Sequence, residues 1–328
     1  MKKALRLLGR LLAAVLALLL LAALLLVVIP LTETGDKTAV AGSADWMAAL
    51  PDEKLLGELV IPGTHDSATQ YVQLAFFSKC QALGIREQLE AGYRYLDIRL
   101  GAAEEGKLQL MHGFTRCKPG ALSADSLLLD AVLEDCYAFL AAHPTETLLF
   151  AVKQEHGDES VSAFEKLLDA YVSENEDFWL LTDSVPTLGE ARGRLVLLRR
   201  YKDAALLGKR AGIPFLWENQ NGSSDTGLNA AAEDEGFFTL WVQDRYEYAA
   251  QDKWNAFCAG MEAARGRERG DIALHFLSTK GTLAYGHPRY FAKDLNRRLA
   301  EANLALDGWV IVDFASAPLA ERIYSANN

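Results

Sequence analysis

Several residues that can move a proton or hold an anion follow short apolar runs in this chain. Leu59-Val60-Ile61 reads as a short buried strand that Pro62 and Gly63 stop, and His65 and Asp66 follow the break. Tyr95-Leu-Asp-Ile-Arg99 ends in Arg99, and Leu110-Met-His112-Gly113 delivers His112. Phe150-Ala-Val-Lys153-Gln-Glu155 ends in Lys153 and Glu155, and Leu197-Leu198-Arg199-Arg200 in Arg200. Trp241-Val-Gln-Asp244-Arg-Tyr246 supplies Asp244 and Tyr246, and Val310-Ile-Val-Asp313 supplies Asp313. The run at Ile272–Leu277 offers only Ser278 and Thr279.

The mixture suggests a reaction class. Two imidazoles can act as base and acid near neutral pH, because their unperturbed pKa lies near 6.5. A guanidinium between them suits a phosphoryl group, which it grips through paired hydrogen bonds. Carboxylates beside the histidines fix tautomers and balance the imidazolium form. A metal-dependent phosphodiesterase calls for a carboxylate cluster with open coordination, whereas Arg99 brings positive charge to the centre. Cleavage of a phosphodiester without a metal is therefore the sharp reading. Each residue alone has an ordinary explanation: a core histidine, a helix-capping arginine, a structural aspartate. Repeated placement after apolar runs is what an accident would not produce.

The elements that must position these groups are short. The runs Leu59–Ile61, Tyr95–Leu100, Leu108–Met111, Thr147–Val152, Arg194–Leu198, Thr239–Val242, Ile272–Leu277 and Gly308–Val312 are too brief for helices and rich in Val, Ile, Leu or aromatics. Helical patterns lie between many of them, at Leu127 to Leu140 and Val161 to Val172 for instance. Such alternation predicts a parallel sheet buried on both faces. About eight units suggest a distorted (β/α)8 TIM-type barrel of α/β class, with the third unit poorly wound, since the link from the second run to the third is too short for a helix. Barrels of this kind carry their chemistry at the C-terminal strand ends.

Around this body the chain has one distinctive segment. Leu11 to Leu31 is uncharged and dominated by leucine and alanine, long enough to cross the ~30 Å hydrocarbon layer as a helix. Lys2, Lys3, Arg6 and Arg10 precede it and predict a cytoplasmic N-terminus. Residues 1–43 read as a membrane anchor or signal segment plus a tether, and 44–328 as the catalytic barrel. A retained anchor is favoured, which puts the body on the extracytoplasmic face of the membrane; a signal peptide cut near Ala39-Val40-Ala41, and a secreted body, is the alternative. The formal charge of −11 excludes long-range attraction to nucleic acid or anionic membranes. Cys80, Cys117, Cys136 and Cys258 show no metal-ligand spacing; they can pair in three ways or remain free in the core.

Ile61-Pro-Gly-Thr-His-Asp-Ser67, Asp97-Ile-Arg99, Met111-His-Gly113, the stretch Leu188 to Tyr201 and Val242-Gln-Asp-Arg-Tyr246 resemble, in order, bacterial phosphatidylinositol-specific phospholipase C. The resemblance runs from about Trp46 nearly to the C-terminus. It implies cleavage of phosphatidylinositol to diacylglycerol and inositol 1,2-cyclic phosphate, with no metal or other cofactor, at phosphatidylinositol-containing membranes. It also implies roles. His65 is the base for the inositol 2-hydroxyl, oriented by Asp313. His112, supported by Asp66, is the acid for the leaving glycerol oxygen, and Arg99 holds the phosphate. Lys153, Arg200 and Asp244 contact the inositol hydroxyls, and Tyr246 lies under the ring. Asp97 is a candidate brace for Arg99. Val72, Leu74, Phe76 and Phe77 form either a rim that dips into the bilayer or a helix packed on the barrel. Glycosylphosphatidylinositol anchors as substrate, and a barrel that binds inositol lipids without turnover, are the competing readings.

Overall fold

The computed structural model describes residues 2–28, 33–157, 159–201, 212–220, 230–234, 238–282 and 286–328. A helix occupies Lys2–Ala23 and widens into a π-helical turn at Leu24–Val28, so it starts well before the apolar run and carries its basic residues on its first turns. Its leucines are exposed, and among the described residues none of the helix is buried. The turn 24–28 lies against the short helix Ala75–Ser78.

The tether that follows does not hang free. Glu33 accepts a bond from Lys79 Nζ through its carbonyl (3.0 Å) and meets His287 Nε2 through its carboxylate (2.8 Å). Lys37 pairs with Glu87 at 2.6 Å, and Val40 packs against the apolar cluster beneath it.

Among the described residues twelve strands build one sheet: β1 (Ile61–Thr64), β2 (Tyr95–Ala102), β3 (Leu108–His112), β4 (Thr115–Arg116), β5 (Leu148–Gln154), β6 (Trp179–Leu180), β7 (Leu195–Arg199), β8 (Ile213–Pro214), β9 (Ala230–Asp234), β10 (Phe238–Gln243), β11 (Ile272–Phe276) and β12 (Trp309–Val312). The order is β6-β7-β5-β2-β1-β12-β11-β10-β9, parallel from β6 through β10, with β9 antiparallel at the edge and β8 parallel to β7. The curled parallel sheet is the distorted barrel expected from the alternation. Among the described residues, no pairing joins β8 to β10 or β9.

Two expectations need correction. The third apolar run is no barrel strand: β3 runs antiparallel to β2, Leu100 opposite Leu110, because a five-residue link permits a hairpin but not a crossover helix. Pro62 and Gly63 do not end the first strand either; they lie inside it, and the chain turns after Thr64. The Pro62 carbonyl accepts from Arg94 N–H (2.9 Å), and β1 pairs with β2 only from Gly63 onward. The missing N–H of proline thus falls where no ladder bond is required. At Gly63 a Cβ would come within 2.3 Å of Ile311 and 2.7 Å of Tyr95, so only glycine fits between its neighbours.

Strand periodicity then sorts the side chains. Inward go Ile61, Tyr95, Leu149 and Ala151, Val196 and Leu198, Leu240 and Val242, Trp309 and Ile311, forming a core that plugs the barrel floor. Outward go Leu96, Ile98, Phe150, Val152, Leu195 and Leu197, covered by helices such as Leu129–Ala142 and Val161–Glu174. Those helices bury residues at three- and four-residue spacing (Val132, Cys136, Phe139; Phe164, Leu168, Tyr171), and Ser160 caps the second by accepting from Ala163 N–H. Each inward apolar series continues, at the same two-residue step, into a polar residue above the floor.

Candidate active site

That continuation builds the site. The step that places Ile61 inward also brings His65 inward; Tyr95 is followed by Asp97 and Arg99, Ala151 by Lys153 and Glu155, Leu198 by Arg200, Val242 by Asp244, and Ile311 by Asp313. One cavity is lined by His65, Arg99, His112, Lys153, Arg200, Asp244, Tyr246 and Asp313, with Asp66 buried beside it. The polar residues given catalytic or inositol-binding roles in the sequence therefore meet.

Arg99 is the centre. Its Nε and Nη2 donate to Asp97 Oδ2 at 3.1 and 2.9 Å, and its Nη1 to Glu155 Oε1 at 3.2 Å. Asp66 Oδ1 lies 3.0 Å from Nε as a further ionic contact. Three of the five guanidinium N–H groups are thus engaged, leaving one on each terminal nitrogen. Burial works against charge on Arg99, but the carboxylates of Asp66, Asp97 and Glu155 outweigh it and hold the group protonated. In return, Arg99 and Arg200 hold Asp97 well below the usual carboxylate range despite its burial. Arg99 and Lys153 do the same for Glu155. Asp97, expected only as a brace, is shared between two arginines: Arg200 Nη1 donates to its Oδ1 at 2.9 Å. Glu155 also accepts from Gly113 N–H (3.0 Å), tying the loop after His112 to β5.

The two imidazoles approach from different supports. His65 follows β1, its own N–H bonded to the Val312 carbonyl (3.0 Å), which sets it level with Asp313. Its Nδ1 is 2.8 Å from Asp313 Oδ1, and since a carboxylate only accepts, Nδ1 carries the hydrogen. Its Nε2 lies 3.2 Å from Asp66 Oδ2. Burial disfavours the imidazolium, but Asp66 and Asp313 overcome that and raise the pKa of His65 to about 8. His112, from the β3–β4 hairpin, faces the Ser78 carbonyl with Nδ1 at 2.8 Å, so that nitrogen is the donor and Nε2 looks into the site. The ring centroids are 6.5 Å apart, nearly perpendicular.

Asp66 stands between them. Its Oδ2 is 3.6 Å from His112 Nε2, farther than from His65. Expected as the support of His112 alone, it is a shared counter-charge, and the outer nitrogen of His112 is held by a backbone carbonyl instead. Asp66 adopts φ +44°, a left-handed backbone that costs a non-glycine residue and is characteristic of functional sites. Its N–H is bonded to Asp97 (3.2 Å), which ties it into the Arg99 network.

Across the cavity Trp217 donates to Asp244 Oδ2 (3.1 Å) and lies under Arg200, whose guanidinium carbon is 3.8 Å from the ring centre. Tyr246 donates to Asn219 Oδ1 (2.8 Å). Trp217 and Asn219 line the wall but escaped sequence reading, because they lie outside the apolar runs, as did Cys80 and the Ser78 carbonyl. His143, His156, His275 and His287 do not line the cavity. His143 pairs with Asp45, His287 with Glu33, and buried His275 packs edge-on to Phe257.

All four cysteines are free, so the pairing alternative does not hold. The apolar rim is only partly a rim. Val72 is buried, Phe76 is half-buried and stacks on His287 at 5.1 Å, while Leu74 and Phe77 are exposed and Phe77 also lines the cavity.

Comparison with known proteins follows the same lines. Residues 61–201 match the family described as phosphatidylinositol-specific phospholipase C, X domain. The 1-phosphatidylinositol phosphodiesterase of Listeria monocytogenes is 31% identical over 268 residues, covering 70% of this chain and 80% of that protein. Its namesake from Staphylococcus aureus strain Newman is 27% identical over 290 residues, covering 83% and 88%. A solved structure of the S. aureus phosphatidylinositol-specific phospholipase C superposes with a TM-score of 0.71 at 25% identity, covering 87% of this chain and 97% of that one.

Proposed function

From the premise that the chain belongs to the phosphatidylinositol-specific phospholipase C X-domain family, we propose that it cleaves phosphatidylinositol, transferring the phosphoryl group from the glycerol oxygen to the inositol 2-hydroxyl. The observation that carries this reading is the pair of imidazoles whose Nε2 atoms face a common space around Asp66 and Arg99. A site that only bound inositol lipid would have no use for both.

His65 in its neutral form, with Nδ1–H held by Asp313, presents a lone pair at Nε2 and takes the 2-hydroxyl proton. The resulting oxygen attacks phosphorus within the same molecule, where alignment is worth effective molarities of ~10⁵–10⁸ M. The phosphorus–glycerol oxygen bond breaks as His112 Nε2 delivers its proton to the departing oxygen. The free N–H on each terminal nitrogen of Arg99 meets the phosphoryl oxygens, worth about 10²–10³ in rate. Diacylglycerol and a 1,2-cyclic inositol phosphate result; hydrolysis of the cyclic phosphate, with the histidines exchanging roles, follows more slowly. Lys153, Arg200 and Asp244 hold the ring hydroxyls and Tyr246 its face, leaving scant room for further phosphates on the ring. The guanidinium already supplies the positive charge at the phosphate, so no metal is required.

The test is product analysis. Phosphatidylinositol vesicles incubated with purified protein should release diacylglycerol and cyclic inositol phosphate at equal rates in chelator and in calcium. Binding without product, or strict dependence on calcium, overturns the reading.

A further inference from the structure

One group at the site has no part in this chemistry: the thiol of Cys80. It is 1% exposed yet lines the cavity wall. Its backbone is fixed on both sides, with N–H on Thr69 Oγ1 at 3.0 Å and the carbonyl accepting from Phe314 N–H at 2.7 Å. Donor atoms of Cys80, Asp66 and His112 lie within 4.8 Å of one another. We propose that these three side chains form a binding site for a thiophilic divalent cation such as zinc, and that its occupation switches the enzyme off.

The donors suit that ion. With Nδ1–H on the Ser78 carbonyl, neutral His112 keeps its lone pair on Nε2, the arrangement metal-ligating histidines adopt. Asp66 is buried, and neither of its oxygens receives a well-aligned hydrogen bond; its partners Arg99 and the two histidines act through charge. One carboxylate oxygen can therefore turn to a cation while the other stays with Arg99. Zinc bonds of ~2.3 Å to sulfur and ~2.0–2.1 Å to nitrogen and oxygen require the donors to close by roughly an ångström. A second triad, His65, Cys80 and Asp313, shares the thiol, but there the His65 nitrogen is already bonded to Asp313.

Burial and the surrounding carboxylates hold the thiol protonated in the absence of metal. Binding forms an S–metal bond and releases the thiol proton to solvent, together with any proton on His112 Nε2. The added charge is offset by Asp66, Asp97, Glu155 and Asp313. A hard ion gains nothing from sulfur and meets Arg99, so calcium and magnesium stay out. Inhibition follows because the metal takes the Nε2 atom that must carry the leaving-group proton. Only that consequence rests on the proposed function; binding itself does not.

The experiment titrates the detergent-solubilised full chain with cadmium and follows the ultraviolet thiolate-to-cadmium absorption, which needs no turnover. In parallel, phosphatidylinositol cleavage is measured in buffered zinc. One equivalent of cadmium should bring up the band, and zinc should abolish cleavage until chelator is added. Cys80→Ala should retain cleavage, lose the band and need at least ~10²-fold more zinc for half-inhibition, since even an outer partner of a metal ligand is worth 10–100-fold. Cys258→Ala, at a half-buried thiol elsewhere, should behave as the parent. Absence of the band in the parent, its persistence in Cys80→Ala, or equal zinc sensitivity in the two overturns the proposal. Should Cys80→Ala not fold, the near-isosteric Cys80→Ser serves in its place.

Discussion

Replacing Asp313 by Asn separates the two services that carboxylate renders to His65. The exchange keeps size and shape but removes the charge 2.8 Å from Nδ1, and it offers an amide that can donate where only acceptance is wanted. With the hydrogen driven to Nε2, the lone pair faces away from the substrate, and the plateau of kcat/KM should fall by about 10²–10⁴. The pH profile should move as well. In the parent, His65 titrates at about 8 because Asp66 and Asp313 outweigh burial, so kcat/KM of the free enzyme rises with pH toward that value. Asp313 contributes both charge and a hydrogen bond to the rise; without it the pKa falls back to near 6.5 or below. At pH 6.5 the parent then has only about 3% of His65 neutral, against about half in the variant. The defect measured at pH 6.5 should accordingly be about fifteen-fold smaller than at pH 9. The assay is kcat/KM from pH 5.5 to 9.5 with a water-soluble inositol phosphodiester, which removes the membrane from the comparison. A plateau within threefold of the parent, or a rising limb that stays put, refutes the assignment of His65 as a base governed by Asp313.

Arg99→Lys keeps one charge but cannot serve Asp66, Asp97 and Glu155 together; turnover should drop by about 10²–10³ and unfolding free energy by ~3–5 kcal/mol, read from denaturant melts and steady-state rates. Unchanged stability would show that the carboxylates do not depend on the fork. Serine at both Leu74 and Phe77, the exposed members of the apolar rim, should reduce cleavage of vesicles by at least tenfold and leave a soluble substrate untouched; equal loss on both points to packing instead. His275 is fully buried, neither ring nitrogen finds a partner among the described residues, and burial lowers its pKa to about 3. The unfolded chain therefore binds the extra proton between pH 6.5 and 3, so this group makes stability fall as pH is lowered through that window. His275→Leu should flatten the loss between pH 6.5 and 4.5, by up to ~2–3 kcal/mol in unfolding experiments, and matching slopes in the two proteins would count against it.

Much of the site was legible because strand geometry repeats every second residue. Given the floor residues Leu149, Ala151, Val196 and Leu198, the same parity selects Lys153 and Arg200 and rejects Arg199, which turns outward to the Gly212 carbonyl. What local pattern could not supply was direction and partnership. The apolar run of β3 looks the same whether the strand is parallel or antiparallel, since its pairing is decided by the brevity of the link before it. His112 was found for its position after an apolar run, yet it reaches the cavity from a hairpin outside the parallel path. Trp217 and Asn219 follow the two-residue strand β8, too short to leave a periodic trace. The sharing of Asp66 by both histidines and of Asp97 by both arginines depends on ångström-scale approach between distant segments. The proline inside β1 misled for a definite reason: its missing donor costs nothing where the neighbouring strand has not yet begun.

The pinned stretch from Glu33 to Val40 ties whatever precedes it to the body through Lys79, His287 and Glu87. The turn Leu24–Val28 that closes the leading helix lies against Ala75–Ser78, the segment whose Phe77 lines the cavity. Were that helix to stay in a bilayer, an enzyme moored this way would work in two dimensions, on lipids diffusing past in the leaflet that holds it, and its rate would scale with surface density rather than with bulk concentration. Severing the chain ahead of Glu33 would convert a resident of one bilayer into a visitor able to reach others, with the catalytic groups untouched.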